Sequence, residues 1–206
     1  MKKLGILLSG RGSNFEAIAQ HIESGRLDVE IALVLGNIQE APGLERARQR
    51  GLETLFLPSK GLDRGNYDQQ LVAALKARQV NLVCLAGFMR LLSATFIEAF
   101  PRRILHIHPS LLPAFPGLDA QRQALQYGVR YSGCTVHFVD EGLDSGPIIL
   151  QRVVPVFPDD SEHTLADRIL AEEHQIYSEA IQLVLRNRIR IEARRVIILP
   201  EKEFLD

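Results

Sequence analysis

The sequence lacks several features that would place the chain in a specialised class of protein. Its 206 residues carry 24 basic and 25 acidic side chains, so the net charge of −1 gives no field that would recruit nucleic acid or an anionic membrane. No apolar run approaches the length of a membrane span, and the apolar part of the amino terminus is too short for a signal peptide. We therefore expect a cytoplasmic protein that binds neither nucleic acid nor membrane.

Cysteine is also scarce, which limits the crosslinks and metal sites that the chain could form. The two cysteines, Cys84 and Cys134, lie in apolar, strand-like segments without a second metal ligand nearby in sequence. Such residues are more often buried thiols than members of a disulfide or a metal site. The sequence therefore predicts no disulfide, and it requires no bound metal and no nucleotide cofactor.

Short apolar runs alternate with amphipathic segments along much of the chain. Continuous apolar runs predict strands, and apolar residues spaced three and four apart predict helices. Strands are expected at 3–8, 29–35, 53–57, 81–86, 103–108, 131–139, 148–156, 188–192 and 196–199, and helices at 15–23, 41–49, 63–78, 120–127 and 161–185. This pattern predicts an α/β protein with a doubly wound, mostly parallel sheet and an antiparallel carboxyl-terminal portion. No repeat or linker divides the chain, so a single domain over 1–206 is expected.

The first strand runs into a glycine-rich turn, Ser9-Gly-Arg-Gly-Ser-Asn14, which precedes the first helix. A helix amino terminus offers free N–H groups and the positive end of the helix dipole, and both suit a phosphate. The turn is not a dinucleotide fingerprint, because Phe15 stands where the third glycine would be, and no Gly-Lys-Ser/Thr marks a P-loop. It predicts a phosphomonoester site with Asn14 as a plausible helix cap. A tight turn without a ligand is the alternative.

A strand that ends in two histidines is the other unusual segment. His106 and His108 lie two residues apart, so their side chains should point to the same face. Pro109, Pro113 and Pro116 then hold the next residues in an open loop. Because parallel sheets bind ligands beyond the carboxyl ends of their strands, the glycine turn and the histidines should share one crevice. The alternative is a pair of solvated loop histidines.

A carboxylate-rich turn, Asp140-Glu-Gly-Leu-Asp-Ser-Gly-Pro147, connects two later strands. Its Asp144 could converge with His106 and His108, and His-x-His on a strand with a nearby aspartate is a recognised arrangement of metal ligands. A metal-dependent hydrolase is therefore one alternative function. His137 lies within an apolar strand and, taken alone, is more often a satisfied core histidine than a ligand.

Taken together, the motifs resemble those of the glycinamide ribonucleotide transformylases, a family of folate-dependent formyltransferases also called phosphoribosylglycinamide formyltransferases. The likeness covers nearly the whole chain. Its most telling parts are the glycine turn, Leu85-Ala-Gly-Phe-Met-Arg90, His108-Pro-Ser-Leu-Leu-Pro113, Gly133-Cys-Thr-Val-His137, Leu143-Asp-Ser-Gly-Pro147 and Glu173-His174. The resemblance implies a Rossmann-like formyltransferase fold, with a phosphate-binding half over 1–100 and a folate-binding and catalytic half over 101–206.

The resemblance also implies an activity and assigns residues to it. A formyl group would pass from 10-formyltetrahydrofolate, a co-substrate rather than a bound cofactor, to the glycine amine of glycinamide ribonucleotide in de novo purine biosynthesis. The ribonucleotide would be held by Gly10, Arg11, Gly12, Ser13, Asn14 and Glu173. The folate pocket would be lined by Met89, Arg90, Leu92, Val139, Asp140 and Leu143. Catalysis would fall to His106, His108 and Asp144, and the protein would be a monomer or a homodimer.

One position departs from the family pattern. The family has a catalytic asparagine two residues before the catalytic histidine, and this chain has His106 there. A protonated His108, favoured by Asp144, would stabilise the oxyanion or protonate the leaving nitrogen, and the asparagine would be a second donor. An imidazole can also donate one N–H, but it is bulkier and its donor vector differs. We therefore expect slower formyl transfer than in His106→Asn.

Other functions remain open beside this one. A formyltetrahydrofolate hydrolase or a formyltransferase for another amine would use related motifs. A non-catalytic folate- or nucleotide-binding protein would bind the substrates without forming a product.

Overall fold

A seven-stranded sheet forms the centre of the computed structural model, which describes residues 1–201. Its strands are β1 (Lys3–Leu8), β2 (Glu30–Gly36), β3 (Thr54–Phe56), β4 (Leu82–Leu85), β5 (Ile104–His108), β6 (Tyr131–Phe138) and β7 (Ile148–Pro155). They lie in the order β3-β2-β1-β4-β5-β6-β7, in which β1 to β5 are parallel to one another, β6 is antiparallel to β5, and β7 is antiparallel to β6. A separate hairpin contains β8 (Ile189–Glu192) and β9 (Arg195–Ile198). The predicted fold class is confirmed.

Helices cover both faces of this sheet. They are α1 (Ser13–Glu23), α2 (Pro42–Gln49), α3 (Arg64–Ala77), α4 (Ala94–Ala99), α5 (Ala120–Tyr127) and α6 (Glu162–Leu185). Successive side chains of β1 point to opposite faces of the sheet and so enter two different apolar cores. Ile6 and Leu8 belong to the core that contains α1 and α6, whereas Leu7 belongs to the core that contains α3 and α4. Burial on both faces explains why the strands read as continuous apolar runs.

The predicted boundaries of the elements differ from the observed ones by no more than two residues, with one omission. The six-residue helix α4 was not predicted from the sequence, because it is too short to show a helical period. It begins at a local signal instead, since the Ser93 hydroxyl accepts a hydrogen bond from the backbone N–H of Phe96.

The predictions about thiols and membrane spans can also be compared with the structure. Cys84 and Cys134 are buried free thiols, as predicted, and burial raises the pKa of both. Within residues 1–201, no helix is both long enough and apolar enough to cross a membrane.

Candidate active site

The turn after β1 depends on one glycine for its backbone geometry. Gly12 precedes α1 as its N-cap and has φ of 72°, in the left-handed region that favours glycine. A Cβ added to Gly12 would lie 2.9 Å from Cα of Gly43, so the close approach of α2 also excludes a side chain. The prediction that Asn14 caps the helix is wrong, because α1 begins at Ser13 and Asn14 lies in its first turn. The side chain of Asn14 is therefore free for a different partner.

That partner is Glu173 on α6. Nδ2 of Asn14 donates to Oε2 of Glu173 at 2.8 Å, and both residues are buried. Burial raises the pKa of the Glu173 carboxyl, and this effect outweighs the Asn14 hydrogen bond and the charge of His106, which lower it. Oδ1 of Asn14 is buried and has no hydrogen-bond partner within the described residues. A buried acceptor left open in this way is suited to a donor from a ligand.

Ser9 joins three strand ends, a role that the motifs did not reveal. Its hydroxyl donates to Oδ1 of Asn37 at 2.7 Å and accepts from the Met89 N–H at 2.9 Å. Its own N–H donates to the Gly87 carbonyl at 3.0 Å. These bonds hold the glycine turn against the segment that carries Met89 and Arg90. A serine between a strand and a glycine is too common a pattern to have indicated this.

Three histidines and one aspartate meet near the carboxyl end of β5. Nδ1 of His106 lies 3.2 Å from Oδ1 of Asp144, and Nδ1 of His108 lies 3.3 Å from Oδ2 of the same carboxylate. Nε2 of His137 lies 3.2 Å from Nδ1 of His106 and 3.8 Å from Oδ1 of Asp144. The structure thus brings together the three residues predicted to be catalytic and adds a third imidazole to them.

Strand pairing explains how this group forms. His106 and His108 alternate with Leu105 and Ile107, whose side chains lie in the apolar core on the opposite face of the sheet. In the antiparallel β5–β6 pair, His106 lies directly opposite His137, so their side chains share a face. A sequence without a strand register could not show this.

His108 is almost fully enclosed, with 3% of its surface exposed. Its Nε2 donates to the Phe115 carbonyl at 2.8 Å, while Nδ1 faces Asp144. Burial lowers the pKa of His108, and the charge of His106 lowers it further, whereas the Phe115 carbonyl and Asp144 raise it; the net shift is downward. The expected support from Asp144 for the imidazolium is therefore present, but desolvation outweighs it in the free protein.

Asp144 is held as an ionised group between the histidines. Burial raises the pKa of its carboxyl, but the hydrogen bond with His106, the Gly117 N–H and the charges of both neighbouring histidines lower it well below its usual range. The Gly117 N–H donates to Oδ2 at 2.8 Å. Asp144 thus ties the proline loop to the end of β5.

Polar side chains of β6 and β7 hold the same loop at its other end. The Thr135 hydroxyl donates to the Ser110 carbonyl at 2.7 Å and accepts from the Leu112 N–H at 3.0 Å. Nε2 of Gln151 donates to the Leu112 carbonyl at 2.9 Å. The prolines alone do not set the loop; the neighbouring strands fix it as well.

Comparison with known proteins decides the family. A model of the formyl transferase family matches residues 2–181. The chain belongs to the formyl transferase family. The chain is 42% identical over 187 residues to phosphoribosylglycinamide formyltransferase of Escherichia coli, covering 90% of this chain and 88% of that protein. The crystal structure of glycinamide ribonucleotide transformylase 1 from Symbiobacterium toebii superposes with a TM-score of 0.95 at 52% identity, covering 97% of this chain and 95% of that one.

Larger formyl transferase relatives contain the same region within longer chains. The chain is 45% identical over 187 residues to the trifunctional purine biosynthetic protein adenosine-3 of Drosophila melanogaster, which is 89% of this chain but 14% of that protein. The resemblance inferred from the motifs is confirmed by these matches.

The folate residues implied by this family lie in different environments. Met89 and Leu143 are exposed apolar side chains, 69% and 54% accessible, and are free to contact a ligand. Asp140 accepts hydrogen bonds from the Ser145 hydroxyl at 2.6 Å and from the Gly142 N–H at 3.1 Å, which stabilise the carboxylate-rich turn.

The other folate residues are more enclosed. The side chains of Leu92 and Val139 pack against an apolar core. The Arg90 guanidinium carbon lies 4.8 Å from the centroid of the Tyr67 ring, a cation–π contact. Nε of Arg90 is buried without a hydrogen-bond partner among residues 1–201.

Proposed function

We propose that this chain, acting in the cytoplasm, transfers the formyl group of 10-formyltetrahydrofolate to the glycine amine of glycinamide ribonucleotide in purine biosynthesis. The observation that carries this proposal is the placement of both His106 and His108 against one carboxylate, that of Asp144. The glycine turn follows β1, and the histidines lie at the end of β5. Both strands are parallel to β4, which lies between them, so the turn and the histidine group lie at the same edge of the sheet. The names of the relatives in E. coli and S. toebii support formyl transfer to glycinamide ribonucleotide.

The glycine turn is proposed to bind the ribonucleotide. The free N–H groups at the start of α1, between Gly10 and Asn14, would receive the phosphate, aided by the helix dipole. The open Oδ1 of Asn14 would accept a hydrogen bond from a hydroxyl or amide of the substrate, and Glu173 would hold the Asn14 amide in that orientation. Arg11, exposed in the same turn, would add a positive charge.

Formyl transfer needs an acid and a donor at the reacting carbon. The neutral amine attacks the formyl carbon, and negative charge develops on the formyl oxygen. The amine nitrogen then loses a proton, and N10 of the folate takes one up as its bond to that carbon breaks. His108 is proposed to supply a proton or a hydrogen bond, with Asp144 stabilising its charged form. In the free protein the Phe115 carbonyl occupies Nε2 of His108, so the substrate must replace that carbonyl.

His106 is proposed to be the second donor, although it is less suited to this role than an asparagine amide. Its Nδ1 lies 3.2 Å from both Asp144 and His137, and a neutral ring with its proton on Nδ1 has no N–H on Nε2. Such a ring accepts hydrogen bonds at Nε2 and cannot stabilise an oxyanion there. Only the imidazolium form of His106 offers a second N–H to the substrate. A carboxamide at this position would be a donor at every pH.

The folate is proposed to bind beside these groups, between the segment of Met89 to Leu92 and the turn of Val139 to Leu143. On this account residues 1–100 contribute most of the phosphate site and residues 101–206 most of the folate and catalytic site, within one domain. The Asn14–Glu173 hydrogen bond crosses that division, which favours a single unit over two separate domains. A monomer or a homodimer is proposed for the assembly, and sedimentation equilibrium would distinguish them.

An assay of formyl transfer with both substrates tests this function. We expect release of tetrahydrofolate that requires glycinamide ribonucleotide and yields a formylated amine. Formate release without the amine would instead establish a hydrolase. Binding of both substrates without any product would establish a binding protein. Either of those results would overturn the proposal.

A further inference from the structure

Four donor side chains converge beside β5. His106, His108 and Asp144 each offer one ligand atom, and these three atoms all lie within 4.8 Å of one another. Nε2 of His137 lies 3.2 Å from Nδ1 of His106. We propose that these four residues form a high-affinity site for a divalent transition metal ion, specifically Zn²⁺, and that the site exists because position 106 is a histidine.

The spacing of the donor atoms suits such an ion. His106 Nδ1, His137 Nε2 and Asp144 Oδ1 form a triangle with sides of 3.2, 3.2 and 3.8 Å. Three atoms arranged in this way can all lie about 2.1 Å from a single ion, which is the usual Zn–N and Zn–O distance. His108 Nδ1, 3.3 Å from the other carboxylate oxygen, is the fourth donor. The four side chains together supply the three nitrogens and one carboxylate of a tetrahedral set.

The second nitrogen of each supporting histidine is already bonded to a backbone carbonyl. Nδ1 of His137 donates to the Phe138 carbonyl at 2.8 Å, and Nε2 of His108 donates to the Phe115 carbonyl at 2.8 Å. In the neutral rings these bonds leave the lone pairs of His137 Nε2 and His108 Nδ1 directed at the cluster. Metal-binding histidines are typically oriented by such hydrogen bonds, which fix the tautomer.

His106 is the residue on which the site depends. Its Nδ1 is 3.2 Å from both the Asp144 carboxylate and His137 and therefore connects the other donors. An asparagine here would present an amide, whose nitrogen does not coordinate metals and whose oxygen is a weak ligand for Zn²⁺. The remaining His108, His137 and Asp144 would then lack their central member.

The chemistry of the donors selects the ion. Imidazole nitrogens suit Zn²⁺ and other transition metals, whereas Mg²⁺ and Ca²⁺ prefer sites made of oxygen. A bound ion would occupy the Asp144 carboxylate and Nδ1 of His108, so His108 could no longer form the imidazolium that is proposed to act in formyl transfer. Zn²⁺ should therefore inhibit rather than assist. That consequence rests on the proposed function, but the binding itself does not.

Direct measurement of metal binding tests the site without any assay of activity. The purified full-length chain, stripped with a chelator, would be titrated with Zn²⁺ in competition with a chromophoric chelator. We expect one tight equivalent per chain. His106→Asn should weaken this binding by more than the roughly 10- to 100-fold that loss of a hydrogen-bond partner of a ligand costs. With Co²⁺ in place of Zn²⁺, the intact site should give the intense visible bands of a tetrahedral ion, and His106→Asn should lose them.

A surface histidine provides the matched control. His163 lies 3.5 Å from Asp167 on the exposed face of α6 and could bind zinc weakly. His163→Asn should leave the tight equivalent unchanged, and circular dichroism should show that both variants remain folded. Equal zinc affinity in the original chain and in His106→Asn, or no stoichiometric binding at all, would overturn the proposal. Zinc binding without formyl transfer would leave the metal site standing and refute the proposed function instead.

Discussion

The glycine turn and the histidine cluster lie at the same edge of one sheet but are built in different ways. The turn consists mainly of backbone, with Gly12 in a left-handed conformation and free N–H groups at the start of α1. The cluster consists of side chains from β5, from β6 and from the turn that carries Asp144. Replacing a side chain of the cluster alters its chemistry directly and leaves the backbone of the turn intact. The identity of residue 106 should therefore affect the cluster and not the turn.

The largest expected effect comes from removing the negative charge of Asp144, whose carboxylate contacts both His106 and His108. Asp144→Asn should lower kcat/KM for formyl transfer by roughly 100- to 10,000-fold, the range typical of general acid–base groups, because His108 loses its stabilising partner. Binding of glycinamide ribonucleotide, measured by calorimetry, should change little because the glycine turn is separate. A loss of less than tenfold in kcat/KM would show that Asp144 is not part of the catalytic group.

The backbone site should respond most to a change of backbone geometry. Gly12→Ala places a Cβ 2.9 Å from Cα of Gly43 and forces alanine to φ near 72°, which costs about 1–3 kcal/mol of the free energy of unfolding. Chemical denaturation would measure it, and the KM for the ribonucleotide should rise as well. Gly10→Ala is the matched control, because a Cβ there meets nothing within 4 Å. Equal stability losses in the two variants would contradict the proposed role of Gly12.

A smaller effect is expected in the pH dependence of the free energy of unfolding, to which Glu173 contributes. Burial raises the pKa of this carboxyl, so the folded protein holds its proton at pH values where the unfolded chain has released it. The contribution of Glu173 to stability is therefore full below its ordinary pKa of 4.5 and is lost as pH rises through the raised value. Glutamine does not titrate, so Glu173→Gln should not show this loss. The stability of the original chain should therefore fall relative to that of the variant as pH increases above 4.5.

Denaturation of both proteins at a series of pH values would measure that difference. Glu179→Gln on the same helix is the control, since Glu179 is exposed and pairs with Arg152 at the surface. A pH-independent difference between Glu173→Gln and the original chain would refute the predicted shift.

Most of the fold could be predicted from the sequence, because buried parallel strands and amphipathic helices leave clear periodic patterns. The boundaries of β1 and α5 agree with the prediction, whereas α4 has too few residues to show a period. Asn14 was predicted to be a helix cap because its residue type is typical of one, but tertiary contact with Glu173 determines its place.

The site was predictable where one segment carries it. The spacing of His106 and His108 predicts a shared face, and the motif implies Asp144 as their partner. The contribution of His137 depends on the register of β5 with β6. The hydrogen bond between His108 and the Phe115 carbonyl depends on the path of the loop, which no periodic sequence pattern indicates. Neither can be obtained from residue spacing alone.

The kcat of formyl transfer, compared between this chain and His106→Asn with a metal chelator present, tests the central claim most directly. The chelator removes any effect of bound zinc, so the comparison isolates the donor at the developing oxyanion. We predict that the asparagine variant is faster by about tenfold or more, with the roughly 100- to 1000-fold that one such donor can supply as the upper bound. Equal kcat values for the two proteins would contradict the account, because they would show that the imidazole of His106 stabilises the transition state as well as an amide does.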